Sequence, residues 1–538
     1  MEPLIALVLA TVVSMALIPA MWRLAPHLGL IDRPDPRKVH RIAIPRVGGW
    51  GIVIGSLFPL IILLPMEPLL ESYLLGCVVL FSFGVWDDAK EIGHYKKFAG
   101  QLLAVLLVLF HGDLWIHRAP FLGDALAPAA GMTLTCFAMV GMINAINHSD
   151  GLDGLAGGES VLSLIVIAFL AHSADGPGAV VIAAALAGGI LGFLRYNTHP
   201  ARVFMGDSGS QVLGFTLGFL AILLTQEVHT ALSPAITLFF LGLPIIDIIA
   251  VLIQRVRKRK NWFLATRNHI HHRLLDLGFP HHETVIIIYV TQACFVISAV
   301  LLRYQDDTLI VALYLLACAV IFGLLLAAER RGWRRTAAAG RALPEIPGTP
   351  MKLEGFKRYP CCAIAWAVPL YLLVLGVRVN DVPADFAVIS AVLAAALLTH
   401  LLWGQQPTAM TARGAIYVAV VFSVFLAWRD PAMSSGQVAE GWFFAGLLVA
   451  IALSLRWASD LHFRTTPMDY LVLAGVTTAA VLGQDQLALT GVPLLIVKAV
   501  VLLYASELVI ERTIARWSML NLAAMLTLAA FAAKGLPA

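Results

Sequence analysis

Two adjacent carboxylates end an apolar run in the segment GVWDDAKEIGHYKK, residues 84–97. Asp87 and Asp88 could coordinate a cation, whereas Lys90, Lys96 and Lys97 could neutralise anionic oxygens such as those of a phosphate. An acidic pair at the end of an apolar run can also be a solvated helix cap. The pair alone leaves both interpretations open.

Two later segments supply further carboxylates. In NAINHSDGLDGLAGG, Asn147 precedes Asp150 and Asp153, whose three-residue spacing would place both carboxylates on one side of a helical turn. In FMGDSGS, Asp207 stands where the next apolar run begins. A glycine-rich turn and a helix cap would each explain one segment. Together the aspartates predict a site for Mg²⁺, with Mn²⁺ as the alternative, because carboxylate oxygens and substrate phosphate suit these ions.

A histidine cluster, HIHH, lies in the most basic loop of the chain. Zinc would need three or four tetrahedral ligands, which adjacent histidines without a cysteine partner supply poorly. Phosphate recognition by imidazole and guanidinium donors is the better interpretation. The residues concerned are Arg267, His269, His271 and His272. His281 and His282 lack flanking motif residues and are interpreted as surface histidines.

Apolar helices must position these motifs. The 538 residues are 59% hydrophobic and 13% charged, and apolar runs of roughly 16 to 24 residues are long enough to span a bilayer. Eleven runs lie near 4–22, 47–65, 68–86, 99–111, 127–146, 159–173, 177–194, 209–225, 231–253, 284–302 and 307–327. Further runs lie near 361–378, 384–403, 412–428, 441–456, 468–483, 488–506 and 517–533. This pattern predicts an all-α polytopic membrane protein and excludes a nucleic-acid-binding protein.

The predicted organisation has three parts: a transmembrane core of about eleven helices in 1–327, a basic cytoplasmic linker in 328–360, and about seven further transmembrane helices in 361–538. The first run lacks a basic start and a cleavage site, so we expect it to be retained. All six cysteines lie in or beside apolar runs and are interpreted as packing residues.

Charge predicts which side of the membrane the motifs face. The loops after runs one, three, nine and eleven are strongly basic, which indicates a cytoplasmic location and an outward N-terminus. The loops after runs five and seven, which carry Asp150, Asp153 and Asp207, fall on the same side. Every motif is therefore predicted to share the cytoplasmic face.

Asp247 stands apart, because it lies inside the ninth run, about 12 Å from Arg255 along a helix. An intramembrane carboxylate is a functional candidate. A hydroxyl or amide of a neighbouring helix could equally satisfy it. Its partner is not predicted, and it stays outside the predicted site.

The ordered set DDAKEIGHYKK, NAINHSDGLDGLAGG, FMGDSGS and HIHH resembles the motifs of the polyprenyl-phosphate N-acetylhexosamine-1-phosphate transferase family, which is glycosyltransferase family 4. The resemblance covers roughly residues 1 to 327 and includes the eleven-span count. It implies that a lipid phosphate, usually undecaprenyl phosphate, attacks the β-phosphorus of a UDP-N-acetylhexosamine in a Mg²⁺-dependent reaction. UMP would leave, and the lipid-diphosphate sugar would initiate a cell-surface glycan.

The resemblance also implies residue roles. Asp207 matches the family's metal-binding aspartate, and Asp88 is expected to share the ion. Asp87 matches the first member of the acidic pair, a candidate for deprotonating or orienting the lipid phosphate. His269 completes the expected catalytic group. The expected substrate-binding residues are Lys38, Lys90, Lys96, Lys97, Asn147, Asp150, Asp153, Arg267, His271 and His272.

HIHH is more similar to the N-acetylhexosamine branch than to the peptidoglycan-precursor branch, whose motif is usually three consecutive histidines. UDP-GlcNAc is therefore the expected donor, with UDP-GalNAc or a modified sugar as alternatives. The preceding residues, LATRN, depart from the proline and aspartate that relatives often have there.

The extension in 361–538 carries no second carboxylate or histidine cluster in its sequence and is expected to be noncatalytic. It could contact a second copy of the chain or a glycan-assembly partner. A transporter of a sugar-linked lipid or nucleotide and a noncatalytic scaffold are the alternative functions. Ionisable residues gathered on one face favour an enzyme of the bacterial inner (cytoplasmic) membrane with its active site on the cytoplasmic side.

Overall fold

The computed structural model is almost entirely helical, which confirms the predicted all-α polytopic class. It describes residues 2–33, 43–122, 125–257, 269–335, 359–402, 410–430, 437–456, 492–512 and 517–535. Lys38 and Arg267, both predicted site residues, lie outside these ranges, as does most of the predicted linker. The described residues form two compact units, one up to residue 335 and one from residue 359.

Thirteen α-helices make up the described part of the first unit. They are α1 Glu2–Leu28, α2 Gly48–Leu63, α3 Pro68–Lys90, α4 His94–Phe110, α5 Pro128–Ser149, α6 Leu155–His172, α7 Pro177–Asn197, α8 Gly206–Leu223, α9 Thr237–Phe240, α10 Gly242–Arg257, α11 Ile270–Asp276, α12 His281–Leu301 and α13 Asp307–Arg330. Each of the eleven predicted runs is helical. Two short strands, β1 Ile31–Asp32 and β2 Ile44–Pro45, pair antiparallel beside α1.

The ninth predicted run differs from a simple span. A 3₁₀ turn at Pro234–Ile236 and α9 form one arm, and α10 forms the other, at 90° to the first. Pro244 explains the break, because it has no amide hydrogen to continue the helical ladder across Gly242. Ten described helices are long and apolar enough to cross a membrane, or eleven if this bent pair is one span.

Helix α8 lies at the centre of the first unit, and every residue from Ser208 to Leu223 is buried. It packs against α3 and α5. Tyr73 of α3 stacks on Phe215, with ring centroids 6.0 Å apart, and hydrogen-bonds Thr216 at 3.0 Å. Gly84 lets α3 approach closely, since a Cβ there would overlap the Ser208 backbone. This contact brings the end of α3 to the start of α8.

The second unit has its own hydrophobic core, built around residues such as Leu372, Val420 and Leu508. Its described helices are α14 Tyr359–Arg378, α15 Ala384–Leu402, α16 Met410–Arg429, α17 Gln437–Arg456, α18 Val492–Arg512 and α19 Trp517–Gly535. The predicted run at 468–483 lies outside the described residues. Within the described part, Glu440 accepts hydrogen bonds from Tyr371 and Lys498, both at 2.6 Å.

Candidate functional site

A polar cavity of about 870 Å³ opens where the ends of α3, α5 and α8 meet the start of α4. Its volume is typical of small-molecule sites. The predicted site residues on its wall are Asp87, Asp88, Lys97, Asn147, Asp150, Asp153, Asp207 and His272. Residues from three of the four sequence motifs, plus one histidine of the fourth, are thus brought together although they extend along the chain from Asp87 to His272.

Lys97 links two of the carboxylates. Its Nζ lies 2.7 Å from Oδ2 of Asp87 and 2.5 Å from Oδ2 of Asp207. Helix α3 ends at Lys90, and the next residue, Glu91, lies in the left-handed region with φ 47°. The turn that follows carries α4 back over Asp87. The amide of Ile92 in this turn donates to Oδ1 of Asp87 at 2.9 Å. The tight turn therefore places Lys97 between the two acidic groups.

Asp88 caps the start of α8 from a different helix. Its Oδ1 accepts from the amide of Asp207 at 2.8 Å, and its Oδ2 accepts from the amide and the hydroxyl of Ser208 at 3.1 and 2.8 Å. A carboxylate at a helix N-terminus satisfies amides that have no partner within the helix. Gly206 has φ +73°, and a Cβ there would overlap the Asp88 carboxylate. Asp88 thus fixes the backbone that presents Asp207.

Asn147 and Asp150 lie beside Asp87, Asp88 and Asp207, and the four aspartates together are called the acidic group. The Asn147 amide donates to Oδ1 of Asp207 at 3.1 Å and to the hydroxyl of Ser210 at 2.8 Å. Asp150 directly follows α5. Burial, and then the charges of Asp207, Asp88 and Asp153, raise the pKa of Asp150 to about 7. Carboxylates are crowded here beyond what the nearby ammonium compensates.

This donor set fits a divalent cation. Asp87, Asp88, Asp150 and Asp207 face one cavity, and the ammonium of Lys97 pairs with two of them. Carboxylate and amide oxygens suit a hard ion such as Mg²⁺. Asp88 accepts from the backbone amides and a hydroxyl at the start of α8, whereas Asp207 accepts from two side chains, those of Asn147 and Lys97, which can move when an ion binds. Of the two, Asp207 is the carboxylate that could turn to an ion without uncapping α8.

Asp153 lies in a separate histidine network on the same wall. Its Oδ2 accepts from Nδ1 of His199 at 2.7 Å and from the amide of Ala201 at 3.1 Å. Burial raises the pKa of Asp153, but these hydrogen bonds and the neighbouring histidines lower it below its ordinary value overall. His281 Nε2 accepts from the Asp153 amide at 3.1 Å, and its ring stacks on His199 at 4.2 Å. These three side chains are close enough to hold a metal ion, and Nδ1 of His281 is buried without a hydrogen-bond partner among the described residues.

His281 is consequently not the surface histidine that the sequence suggested. Its side chain is 14% exposed and lines the cavity. No local pattern signals this, since its partner Asp153 lies 128 residues earlier. Asn197 was missed for the same reason: it accepts from the amide of Gly154 at 2.7 Å and donates to the carbonyl of Val203 at 2.9 Å. It holds together the two loops that flank the cavity.

The predicted lysines divide into two groups. Lys97 lies in the cavity, but Lys90 and Lys96 are exposed and are absent from its described lining. The ammonium of Lys96 lies 5.1 Å from the centroid of the Trp86 ring instead. Arg46, which the sequence analysis did not single out, lines the cavity and pairs with Asp32 at 2.5 Å. Its place in the same basic loop as Lys38, shortly before α2, was the available signal.

Within the histidine motif, His272 reaches the described lining of the cavity. His271 is buried, and burial, followed by the charge of His272, lowers its pKa to about 3. Such a neutral imidazole carries no charge to pair with a phosphate, and its Nε2 is buried without a hydrogen-bond partner among the described residues. His269 is also buried, and its Nδ1 donates to Asp247 at 2.6 Å. The partner of Asp247, which the sequence left open, is thus His269.

Comparison with known proteins gives one family model, which matches within the first unit, and several similar relatives. Residues 70–225 match the family model described as "Glycosyl transferase family 4". The chain is 33% identical to "Probable undecaprenyl-phosphate N-acetylglucosaminyl 1-phosphate transferase" of Bacillus subtilis (strain 168) over 333 residues, which are 61% of this chain and 92% of the relative. It is 29% identical to "Undecaprenyl-phosphate alpha-N-acetylglucosaminyl 1-phosphate transferase" of Yersinia pestis, over 60% of this chain and 90% of the relative. It is 31% identical to "Decaprenyl-phosphate N-acetylglucosaminephosphotransferase" of Mycobacterium tuberculosis (strain CDC 1551 / Oshkosh), over 49% of this chain and 74% of the relative.

Proposed function

Because the chain belongs to glycosyl transferase family 4, we propose that it transfers N-acetylglucosamine 1-phosphate from UDP-GlcNAc to undecaprenyl phosphate and releases UMP. The family predicted from the four motifs is thereby confirmed. One observation carries the proposal beyond family membership: a single cavity gathers Lys97 with the carboxylates of Asp87, Asp88, Asp150 and Asp207 at the ends of apolar helices. Phosphoryl transfer needs mainly positioning and charge neutralisation, which such a site supplies.

The residues present would hold Mg²⁺, with Mn²⁺ as the alternative, through Asp207 and the side-chain oxygen of Asn147. Bound there, the ion would neutralise charge on the diphosphate of the donor. Asp88 keeps Asp207 in place by accepting hydrogen bonds from the first amides of α8. Its part in the site is therefore positioning, and a direct bond to the ion stays a prediction.

Lys97 and Asp87 act on the phosphates. The ammonium of Lys97 lies between two carboxylates and can turn to a phosphate oxygen when substrate enters. Asp87 stands at the end of a spanning helix, which is the depth at which a lipid tail holds its phosphate group. There it would orient the acceptor phosphate or take a proton from it.

The donor would occupy the other side of the cavity. Arg46 and His272 face it as cationic or neutral nitrogen donors for the diphosphate and sugar, and Asp153 with its histidine network forms the adjacent wall. The structure supports a smaller part for His271, which is buried and neutral. For Lys90 and Lys96, exposure away from the cavity gives no support to a substrate contact.

An apolar groove of about 480 Å³ suits the isoprenoid tail of the acceptor. It runs along α5, past Phe137, Met142 and Ala145, and along α10, past Ile245 and Leu252. Ala145 is two residues before Asn147, so the groove approaches the cavity along α5. A tail in this groove would place its phosphate beside the acidic group.

We place the cavity on the cytoplasmic side of a bacterial cytoplasmic membrane, since the loops on that side are the basic ones. The chain is a multi-pass membrane protein. Family membership favours the enzyme over the transporter. Turnover by the purified protein would exclude the noncatalytic scaffold. A partner or homodimer contact through the extension stays a prediction.

The proposal is tested with purified protein, undecaprenyl phosphate, Mg²⁺ and two preparations of UDP-GlcNAc, one labelled in the sugar and one in the phosphate attached to it. Both labels should enter the lipid product, because sugar and phosphate move together. Entry of the sugar label alone would indicate glycosyl transfer and contradict the proposal. UDP-GalNAc in parallel tests the donor, and we expect slower transfer from it.

A further inference from the structure

Asp247 holds the start of the histidine motif with both carboxylate oxygens. Its Oδ2 accepts from Nδ1 of His269 at 2.6 Å, and its Oδ1 accepts from the amide of Ile270 at 2.8 Å. Ile270 is the first residue of α11, so the second bond satisfies an amide that has no partner within that helix. The 90° bend between α9 and α10 sets the direction of α10, the helix that carries Asp247.

The position of α11 matters because this short helix packs against the loop that carries Asp150 and Asp153. The imidazole of His271 packs against Gly151 so closely that a Cβ on Gly151 would overlap it. The next residue, His272, reaches the cavity wall. The His269 ring lies 5.7 Å from that of His271 and 5.4 Å from that of His148 on α5. A shift at His269 would therefore be passed to the residues that line the cavity.

We propose that Asp247 is a positioning residue for the histidine motif: its carboxylate fixes the His269 imidazole and the first turn of α11, and so sets where His269 and His272 stand for the donor. The arrangement resembles the one at Asp88, whose carboxylate also reaches from a spanning helix to the first amides of another helix. In each case the carboxylate positions the next helix. This inference rests on the proposed transferase function.

A carboxylate that accepts from Nδ1 selects one tautomer of a neutral histidine, with the lone pair on Nε2. Asparagine at position 247 would retain one acceptor oxygen and present an amide donor to the other partner, so one of the two bonds would be lost or the His269 tautomer would change. Among the described residues, the charged and titratable groups in contact with the His269 ring are Asp247 on α10, His148 on α5, and His271 and His272 on α11. Of these, the structure shows Asp247 in direct hydrogen-bond contact with the ring.

The test compares Asp247→Asn, His269→Ala and the double variant in the full chain, with Asp306→Asn as the matched control. Asp306 caps α13 by accepting from the amide of Leu309 at 3.0 Å, so the same change is made at a cap remote from the cavity. We expect Asp247→Asn to lower kcat/KM for UDP-GlcNAc by about 10- to 100-fold. KM for undecaprenyl phosphate should stay near the wild-type value, as should all constants of Asp306→Asn.

The double variant separates positioning from an independent role. If Asp247 acts through His269, the double variant loses about as much activity as the worse single variant. Losses that multiply would overturn the proposal, as would an Asp247→Asn enzyme within about twofold of wild type, roughly the scatter of such additivity tests.

Hydrogen exchange decides the same point without turnover. Amides of residues 270–276 should exchange faster in Asp247→Asn than in wild type or Asp306→Asn, because the start of α11 loses its anchor. Unchanged exchange there would overturn the positioning role. An inactive wild-type enzyme with the expected exchange difference would instead contradict the transferase function and leave the structural role of Asp247 supported.

Discussion

At the scale of single residues, Lys97 makes the most direct test of charge neutralisation. Its ammonium lies within 2.7 Å of both Asp87 and Asp207, whereas the adjacent Lys96 is exposed over Trp86. Lys97→Ala should lower kcat by about 100-fold or more, since a preorganised charge near the transferring phosphate is lost. Lys96→Ala is the control and should keep wild-type rates. Equal effects of the two changes in a steady-state assay would contradict the assigned site.

Asp88 and Asp207 should respond differently to the same change. Asp88→Asn removes an acceptor from the start of α8, so both the transfer rate and the thermal midpoint should fall, with about 1 kcal/mol of stability lost. Asp207→Asn leaves the Asp88 cap in place, keeps an acceptor for Asn147 and leaves Lys97 paired with Asp87, so transfer should stop while the midpoint falls less than in Asp88→Asn. Thermal scans in detergent measure this, and a midpoint lowered more by Asp207→Asn would argue against these roles.

Asp150 predicts how stability depends on pH. Its folded-state pKa of about 7 lies above its ordinary value of 3.8, so between these values the folded protein binds more protons than the unfolded chain. Stability from this group therefore falls as pH rises through that window and levels off above it. With a chelator present, the midpoint of wild type relative to Asp150→Asn should decrease from pH 5 to pH 8. A constant difference between them would contradict the shifted pKa.

At the scale of elements, the close approach of α3 to α8 brings Asp87 and Asp88 beside Asp207. Gly84→Ala would drive a Cβ into the Ser208 backbone, which should cost about 1 to 3 kcal/mol and reduce transfer as Asp87 and Asp88 move away from Asp207. Gly323 in α13 has open space around its Cβ position, so Gly323→Ala is the matched control. Thermal midpoints and rates of both variants check this. A tolerated Gly84→Ala would mean that the helices separate easily.

The sequence predicted the helices well because apolar length and charge bias are local signals. It also predicted the aspartates at 87, 88, 150 and 207, whose motifs are local too. It did not predict the 90° bend at Gly242. Nor could it predict the pairing of Asp247 with His269 or of His281 with Asp153, because each of these contacts joins separate elements. Nor could it distinguish exposed Lys96 from Lys97, because the two are adjacent on α4 and differ in the direction in which they project from that helix.

At the scale of the whole molecule, the two units have separate hydrophobic cores. The relative from Bacillus subtilis is matched over 92% of its length by 61% of this chain, and the family model matches within the first unit. A chain ended after residue 335 should therefore fold and keep lipid-dependent transfer. Activity of this fragment in detergent measures the claim. A folded but inactive fragment would show that the extension takes part in catalysis.

The central claim is that this cavity transfers a sugar phosphate to a lipid phosphate. Its most direct test is UMP release by purified full-length protein given UDP-GlcNAc, Mg²⁺ and undecaprenyl phosphate, with Asp207→Asn alongside. The account predicts UMP release that requires the lipid and disappears in the variant. Release that is independent of the lipid, or equal in Asp207→Asn, would contradict it.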